Sequence, residues 1–344
     1  MHQLVAMPSG PIGAIALVQI NGTVRVSTAG VADRATGQLI TDGDSMRLAS
    51  VSKAYNGAVA LSLVHQGKLA LTDTIAQRLP GMPAPWGAVT VAQLLRHTGG
   101  LPDYTKAPAF LTQFSADPLA AFTPQQLVGF VAAEPLDFAP GSKYEYSDTD
   151  NIVVGLIVEA VTGQSYESEL AATVYTPLSL THTILPNTTA IGPPTLHGYA
   201  LETNHPPEDV TTALNPTGAG ASGGMVSTTA ELNTFMRAYV AGRLFGPAVQ
   251  KEQFQFVPGS SGPPGPGTNS AGLAIFRYQT RCGTVYGHTG NFPGYTMFAA
   301  ATADGSRSVV VAVNIQLNSK KPVSPVFTAL RDLESTAVCA ATSG

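Results

Sequence analysis

Two strand–turn–strand patterns stand near opposite ends of this 344-residue chain. Ile12 to Ile20 and Thr23 to Ala29 flank Asn21-Gly22, a dipeptide suited to the positive φ angles of a two-residue hairpin. Tyr295 to Thr302 and Ser308 to Ile315 flank Asp304-Gly305 in the same way. Between them, Leu71 to about Asn215 reads as mostly helical, with capping signals. Thr90 precedes Val91 to Arg96, and Thr123-Pro124 opens Gln125 to Ala133. Further on, Thr229 is expected to cap Ala230 to Val240, and a last helix should run from about Val326 to Val338. The pattern predicts an α/β (α+β) fold: one antiparallel sheet built from both chain ends, flanked by helices, with a mainly helical insertion. As a division of one domain spanning 1–344, residues 1–70 and 216–344 would form the α/β part and 71–215 the helical part. Pro258 to Gly267 is too rich in Pro and Gly for regular structure and reads as an exposed loop. No internal repeat interrupts the pattern.

Ser50-Val51-Ser52-Lys53 opens a helical pattern in which Ala54, Ala58, Leu61 and Val64 recur before Gly67. At the first turn of a helix, Lys53 would lie one turn beyond Ser50 on the same face, within reach of its hydroxyl. A serine hydroxyl becomes a nucleophile when a base takes its proton, and a neutral lysine can be that base. The alternative is an N-cap serine beside a solvated first-turn lysine. This Ser-x-x-Lys alone leaves both readings open, although it occurs once in the chain.

Two further elements follow in order. Tyr146-Ser147-Asp148 lies between the turn-like Ala139-Pro140-Gly141-Ser142 and an apolar helix, Ile152 to Val161, closed by Gly163. His288-Thr289-Gly290 lies in a strand-like context, after Thr284-Val285-Tyr286. In this sequence of motifs the chain resembles the penicillin-recognising serine hydrolases, the class C β-lactamase and DD-peptidase family. It is most similar to the soluble actinomycete D-alanyl-D-alanine carboxypeptidases, from Gly30-Val31-Ala32-Asp33-Arg34 to Leu333-Glu334-Ser335 with Cys339.

The resemblance implies a serine hydrolase working through a covalent acyl-enzyme, with a penicillin-binding carboxypeptidase as the first expectation. An esterase, a D-aminopeptidase, a class C-type β-lactamase or a catalytically weak penicillin-binding module are the alternatives. It implies Ser50 as nucleophile, Lys53 as base, Tyr146 as proton shuttle, and His288 as the residue keeping that pair polarised. Thr289 would orient the substrate beside Asp148 and Gly290, and the N–H groups of Ser50 and Asn291 would form the oxyanion hole. It also implies a Cys282–Cys339 disulfide; from composition alone both could equally be buried thiols. Peptidoglycan stem peptides, β-lactams or esters are the implied substrates, with a monomer and an exported location outside the cell or at its envelope. Met1-His2-Gln3-Leu4 has no charged segment leading into an apolar run, so no signal peptide is read here.

Two departures bear on specificity. Asp148 replaces the usual Asn, exchanging an amide that can donate for a carboxylate that only accepts. Phe276 falls where carboxypeptidases of the family carry an arginine for the substrate's free carboxylate. Arg277 lies next to it, but adjacent strand residues point to opposite faces.

Composition restricts the remaining classes. Charged residues make up 12% and the net charge is −4, with no basic run for nucleic acid. No apolar stretch reaches the roughly 18 residues of a membrane span. Neither cysteine lies near a histidine cluster, and His65, His182, His197 and His205 lack ligand spacing, so no metal or cofactor is expected. His97-Thr98-Gly99 repeats the third motif after a helix and reads as a structural turn. Gly220-Ala221-Ser222-Gly223-Gly224 matches a nucleophile elbow, but turn composition precedes it where an elbow needs a strand.

Overall fold

The computed structural model describes residues 1–202, 205–319 and 323–342. Eight antiparallel strands form one sheet in the order Thr23–Gly30, Gly13–Ile20, Arg307–Val313, Tyr295–Ala301, Gly283–Phe292, Phe276–Thr280, Thr268–Ala271 and Val257–Pro258. Both expected hairpins are present, and they join each other: Ala14 pairs with Val313 and Leu17 with Val310. The first turn uses Asn21 and Gly22 at φ 46° and 92°, the positive angles that dipeptide tolerates.

Strand alternation sorts the core into two layers. Ala14, Ala16, Phe298, Val309 and Val311 face the last helix, Pro325–Thr342, and meet its Phe327, Leu330 and Val338. Ile15, Leu17, Met297, Ala299 and Val310 point the other way, into the larger core shared with the helices Ser52–His65 and Thr229–Val240. The Ser52–His65 helix is buried on every side from Ser52 to Leu63, not along one stripe. It is wedged between the sheet layer and the helix Asp148–Thr162, so polar residues on it have protein around them.

Three local expectations are corrected. The cap of the Thr229–Val240 helix is Thr228, whose side chain accepts the Glu231 N–H, because the short strand Val226–Thr228 delivers the chain one residue earlier. The helix after Thr123 is shorter, Pro124–Gly129, though its capping box with Gln126 is complete. The Pro258–Gly267 segment is irregular as expected but not an exposed loop: Ser261, Pro263, Gly265 and Pro266 are buried. Its carbonyls are in demand, since Arg331 of the last helix donates to Pro264 at 2.6 Å and to Gly265, while Thr289 donates to Pro263 at 2.7 Å. The last helix thus braces, through this loop, the strand that carries His288. The Cys282–Cys339 disulfide fastens the same helix to the start of that strand.

Glu334 lies beneath this brace, 2% exposed and 3.0 Å from Arg331. Burial pushes its carboxyl from the usual 4.5 up to about 7, with Arg331 opposing. A carboxyl raised in the folded state favours folding below its unfolded value, and that contribution is lost as pH rises through the folded one. Glu334→Gln lacks this titration. Its melting temperature relative to the parent should therefore climb between about pH 4.5 and pH 7 and level off above. A difference that stays flat across the window would mean that Glu334 is ionised in the folded protein throughout.

Candidate active site

Ser50 sits in a 3-10 turn, Ala49–Val51, that runs directly into the Ser52–His65 helix. Ala49 holds φ 50°, a conformation unusual for a residue with a Cβ and of a kind often stored at functional sites. Ser52 ties the turn down: its hydroxyl donates to Ala49 O at 2.7 Å and accepts the Met225 N–H at 3.2 Å. The strand Ser45–Arg47 leads into this turn and pairs with Val226–Thr228, which leads away from Gly220–Gly224. The two loops are thereby held side by side.

Lys53 is fully buried and its amine reaches three acceptors. Ser50 Oγ lies at 3.2 Å, Asp148 Oδ1 at 2.5 Å and the Ser222 carbonyl at 2.7 Å. Three acceptors match the three protons of an ammonium. The solvated-lysine reading of Ser-x-x-Lys is excluded by this burial, and Ser50 caps no helix. Asp148 is the first residue of the Asp148–Thr162 helix, where the helix dipole favours a carboxylate. One turn along each helix, Asn56 Nδ2 donates to Asn151 O at 2.9 Å and to its Oδ1 at 3.1 Å, fixing the two helices in the register that brings Lys53 to Asp148.

Tyr146 packs its ring under the Lys53 amine, 4.8 Å from ring centroid to Nζ, and its hydroxyl is buried without a hydrogen-bond partner. Burial and the Asp148 carboxylate hold its phenol well above the usual 10, with the Ser50 hydroxyl opposing. The group is a phenol, not a phenolate. Behind it stands His97, with ring centroids 4.5 Å apart. Sequence reading left His97 as a structural turn; it is one, accepting the Glu145 N–H at its carbonyl, but its ring also backs the site. His97 Nδ1 lies 2.8 Å from Asp150 Oδ2, and the Ser147 N–H points at the same nitrogen at 3.4 Å. Burial holds the imidazole well below 6.5, and burial with Asp103 and Asp148 pushes the Asp150 carboxyl well above its usual value. Both shifts favour the neutral forms, in which the carboxyl donates to Nδ1.

His288, Thr289, Gly290 and Asn291 lie on the long strand Gly283–Phe292, which crosses in front of the Ser50 turn. Gly290 permits the crossing: a Cβ there would sit 2.5 Å from Leu48 O and 3.2 Å from Ala49 Cβ. His288 is buried, and burial together with the Lys53 charge pulls its imidazole down to about 3. A neutral ring with Nδ1 2.6 Å from the Thr289 carbonyl must donate there, which leaves Nε2 as an unpartnered acceptor. Asn291 Oδ1 accepts from Thr296 at 3.2 Å.

A cavity of about 340 Å³ opens beside Ser50 and is lined by Asp148, Ser222 and Asn291 among others. Phe276 is buried against the His288 ring, and Arg277 turns away to Ser270 Oγ at 3.0 Å and the Phe256 ring. Ser222, set aside as a nucleophile, donates its hydroxyl to Ala219 O at 2.7 Å; its contribution is the carbonyl that holds Lys53. No side-chain pattern could have revealed a main-chain acceptor. Asp150 and Asn151 were findable, standing two and three residues after Asp148 on a helix.

The sequence matches the family described as Beta-lactamase over residues 6–330. A D-stereospecific amidohydrolase from Streptomyces sp. is 32% identical, with 95% of each chain covered and a TM-score of 0.82. A D-amino acid amidase from Ochrobactrum anthropi SV3, at 22% identity, shares the fold with a TM-score of 0.83 over 95% of this chain and 94% of that one. A protein of Escherichia coli (strain K12), named "Putative D-alanyl-D-alanine carboxypeptidase", is 28% identical over 83% of this chain, which spans 62% of that protein's length. A match running through nearly all of the sequence, on a fold shared from end to end, shows that the chain belongs to the beta-lactamase family.

Proposed function

We propose that Ser50 is the nucleophile of an amide or ester hydrolase whose leaving group carries no free carboxylate. The observation that carries the first half is the Lys53 amine bonded to Ser50 Oγ at the wall of the cavity. The reacting form is the one in which Lys53 has lost a proton to solvent, leaving a free amine beside the hydroxyl while Asp148 keeps its charge. Ser50 Oγ then forms a bond to the substrate carbonyl carbon as its proton moves to Lys53. The carbonyl electron pair collects on oxygen, opposite the N–H groups of Ser50 and Asn291. When the tetrahedral adduct collapses, the bond to the leaving nitrogen or oxygen breaks and the Tyr146 phenol supplies its proton. Lys53 reprotonates Tyr146. Water repeats the path against the acyl-enzyme in the opposite proton sense, releasing the acid. A phenol held protonated by burial suits this donor role, and the neutral His288 offers an acceptor at Nε2.

Replacing Ser50 by Ala should abolish both p-nitrophenyl ester turnover and the penicillin adduct seen by intact mass, with little change in melting temperature. Full labelling of that variant at another serine would refute the assignment. An adduct on the parent that never turns over, with no ester hydrolysis, would support the binding-module alternative instead.

The second half rests on charge. Among the described residues lining the cavity no cation is present, Phe276 stands where an arginine would hold a carboxylate, and Asp148 is an anion. An unpaired carboxylate entering such a site loses hydration without compensation. The name of the Streptomyces relative supports amides as substrates, and that of the Escherichia coli relative supports peptides ending in D-alanine. The charge distribution favours the former. kcat/KM for diacetyl-lysyl-D-alanyl-D-alanine should be no higher than for its C-terminal amide or a matched ester. A strong preference for the free carboxylate would mean that Arg277 or another cation reaches the cleft. The disulfide supports an oxidising, extracytoplasmic location.

A further inference from the structure

Asp148 uses only one of its two oxygens on Lys53. Oδ2 takes no hydrogen bond from any described residue, the side chain is 21% exposed, and it borders the cavity. Among the described residues lining that cavity, Asp148 is the only charged side chain. The same space is walled by Tyr104, Phe110, Phe114, Leu214 and Phe292. The ring contacts of Phe110 with Tyr104 and Phe114, at 5.1 and 5.3 Å, make that wall a packed one.

We propose that Asp148 Oδ2 receives the α-ammonium of the acyl group, so that the enzyme acts on amides and esters of N-unblocked, apolar α-amino acids. The inference rests on the assignment of Ser50 as nucleophile. An Asn at this position can donate to the carbonyl of an acylated substrate nitrogen; a carboxylate can only accept. It repels that carbonyl and attracts an ammonium, the partner that brings several donors and the opposite charge. A second carboxylate stands behind it: Asp103 Oδ1 accepts the Thr105 N–H at 3.1 Å and the Asp148 N–H at 3.4 Å. The exposed Lys106 amine is 3.6 Å from Asp103 Oδ2 and does not line the cavity.

Distances fit one amino-acid residue. Ser50 Oγ and Asp148 Oδ1 both lie within bonding reach of a single amine, which places them within about 6 Å of each other. In an α-amino acid derivative the nitrogen is about 2.5 Å from the carbonyl carbon. The carbonyl can therefore meet Ser50 while the ammonium meets Asp148, leaving the side chain to the aromatic wall.

The test compares D- and L-phenylalanine amide with their N-methyl and N-acetyl forms. N-methylation keeps the charge, whereas acetylation removes it. For whichever enantiomer is turned over, the parent enzyme should favour the unblocked over the N-acetyl amide by roughly 10-fold or more in kcat/KM, as a lost charge-assisted bond implies. The N-methyl amide should stay close to the unblocked one. In Asp148→Asn both rates will fall, because Lys53 loses its partner, but the unblocked-to-acetylated ratio cancels that loss and should collapse towards one. Phe114→Ala should narrow the preference for phenylalanine amide over alanine amide. An N-acetyl preference in the parent overturns the proposal even if the variant fails to fold, and so does an unchanged ratio in Asp148→Asn. An unchanged side-chain preference in Phe114→Ala overturns the apolar half. Intact-mass detection of a Ser50 adduct with a p-nitrophenyl ester, on the same preparations, separates the two possible failures. With neither an adduct nor ester turnover that Ser50→Ala abolishes, the nucleophile assignment falls and this proposal with it; with either of them and an unaltered ratio, only the role of Asp148 falls.

Discussion

A single buried ammonium organises this protein. Moving a charge out of water costs several kcal/mol even after relaxation, so Lys53 is tolerable in the interior only with its protons fully paired. The three acceptors come from three parts of the chain: its own turn, a helix start 95 residues on, and a glycine-rich turn 169 residues on. Each of those segments is set by other means. The Ser45–Arg47 and Val226–Thr228 pair aligns the two loops, and the Asn56–Asn151 contact aligns the two helices. The packing of distant segments and the placing of Ser50 therefore meet at one side chain.

The surroundings keep that ion pair alone. His97 and His288 are pulled down by burial and by the Lys53 charge, while Asp150, Asp103 and Tyr146 are pushed up by burial and by the neighbouring carboxylates. Each shift moves its group towards the neutral form. A second charge in the same low-dielectric space would compete for Lys53 or Asp148 with an energy far above that of a surface pair. Tyr146 Oη and His288 Nε2, each buried beside the Lys53–Asp148 pair without a hydrogen-bond partner among the described residues, are a donor and an acceptor.

The sheet was legible because hairpins are local. Asn21-Gly22 and Asp304-Gly305 specify turns, and period-two alternation specifies which residues share a face. The contact of Ser50 with Lys53 was legible for a similar reason: their spacing of three is a property of one helix turn. What stayed hidden is long-range or belongs to the main chain. Ser222 acts through a carbonyl, and the Pro258–Gly267 segment looked solvent-exposed because composition records irregular backbone, not whether other groups seek its carbonyls. His97 copied a motif whose catalytic version lies on a strand, so its ring behind Tyr146 could not be inferred from the turn it makes. Asn56 and Asn151 carry no signal until the two helices are placed side by side.

The two departures from the family pattern act on charge in the same direction. An arginine in place of Phe276 would project a cation from a strand position that now packs against His288. With an amide in place of Asp148, the cavity lining would then be neutral apart from that cation, and an anionic substrate would be drawn in. Here the cation is gone and an anion has been added, so the field at the cavity wall has reversed sign without any change in the geometry of Ser50 and Lys53. The proposed reaction and the proposed selectivity are separable in this scaffold because they rest on different oxygens of one residue: Oδ1 holds Lys53, while Oδ2 is left for what enters the cavity.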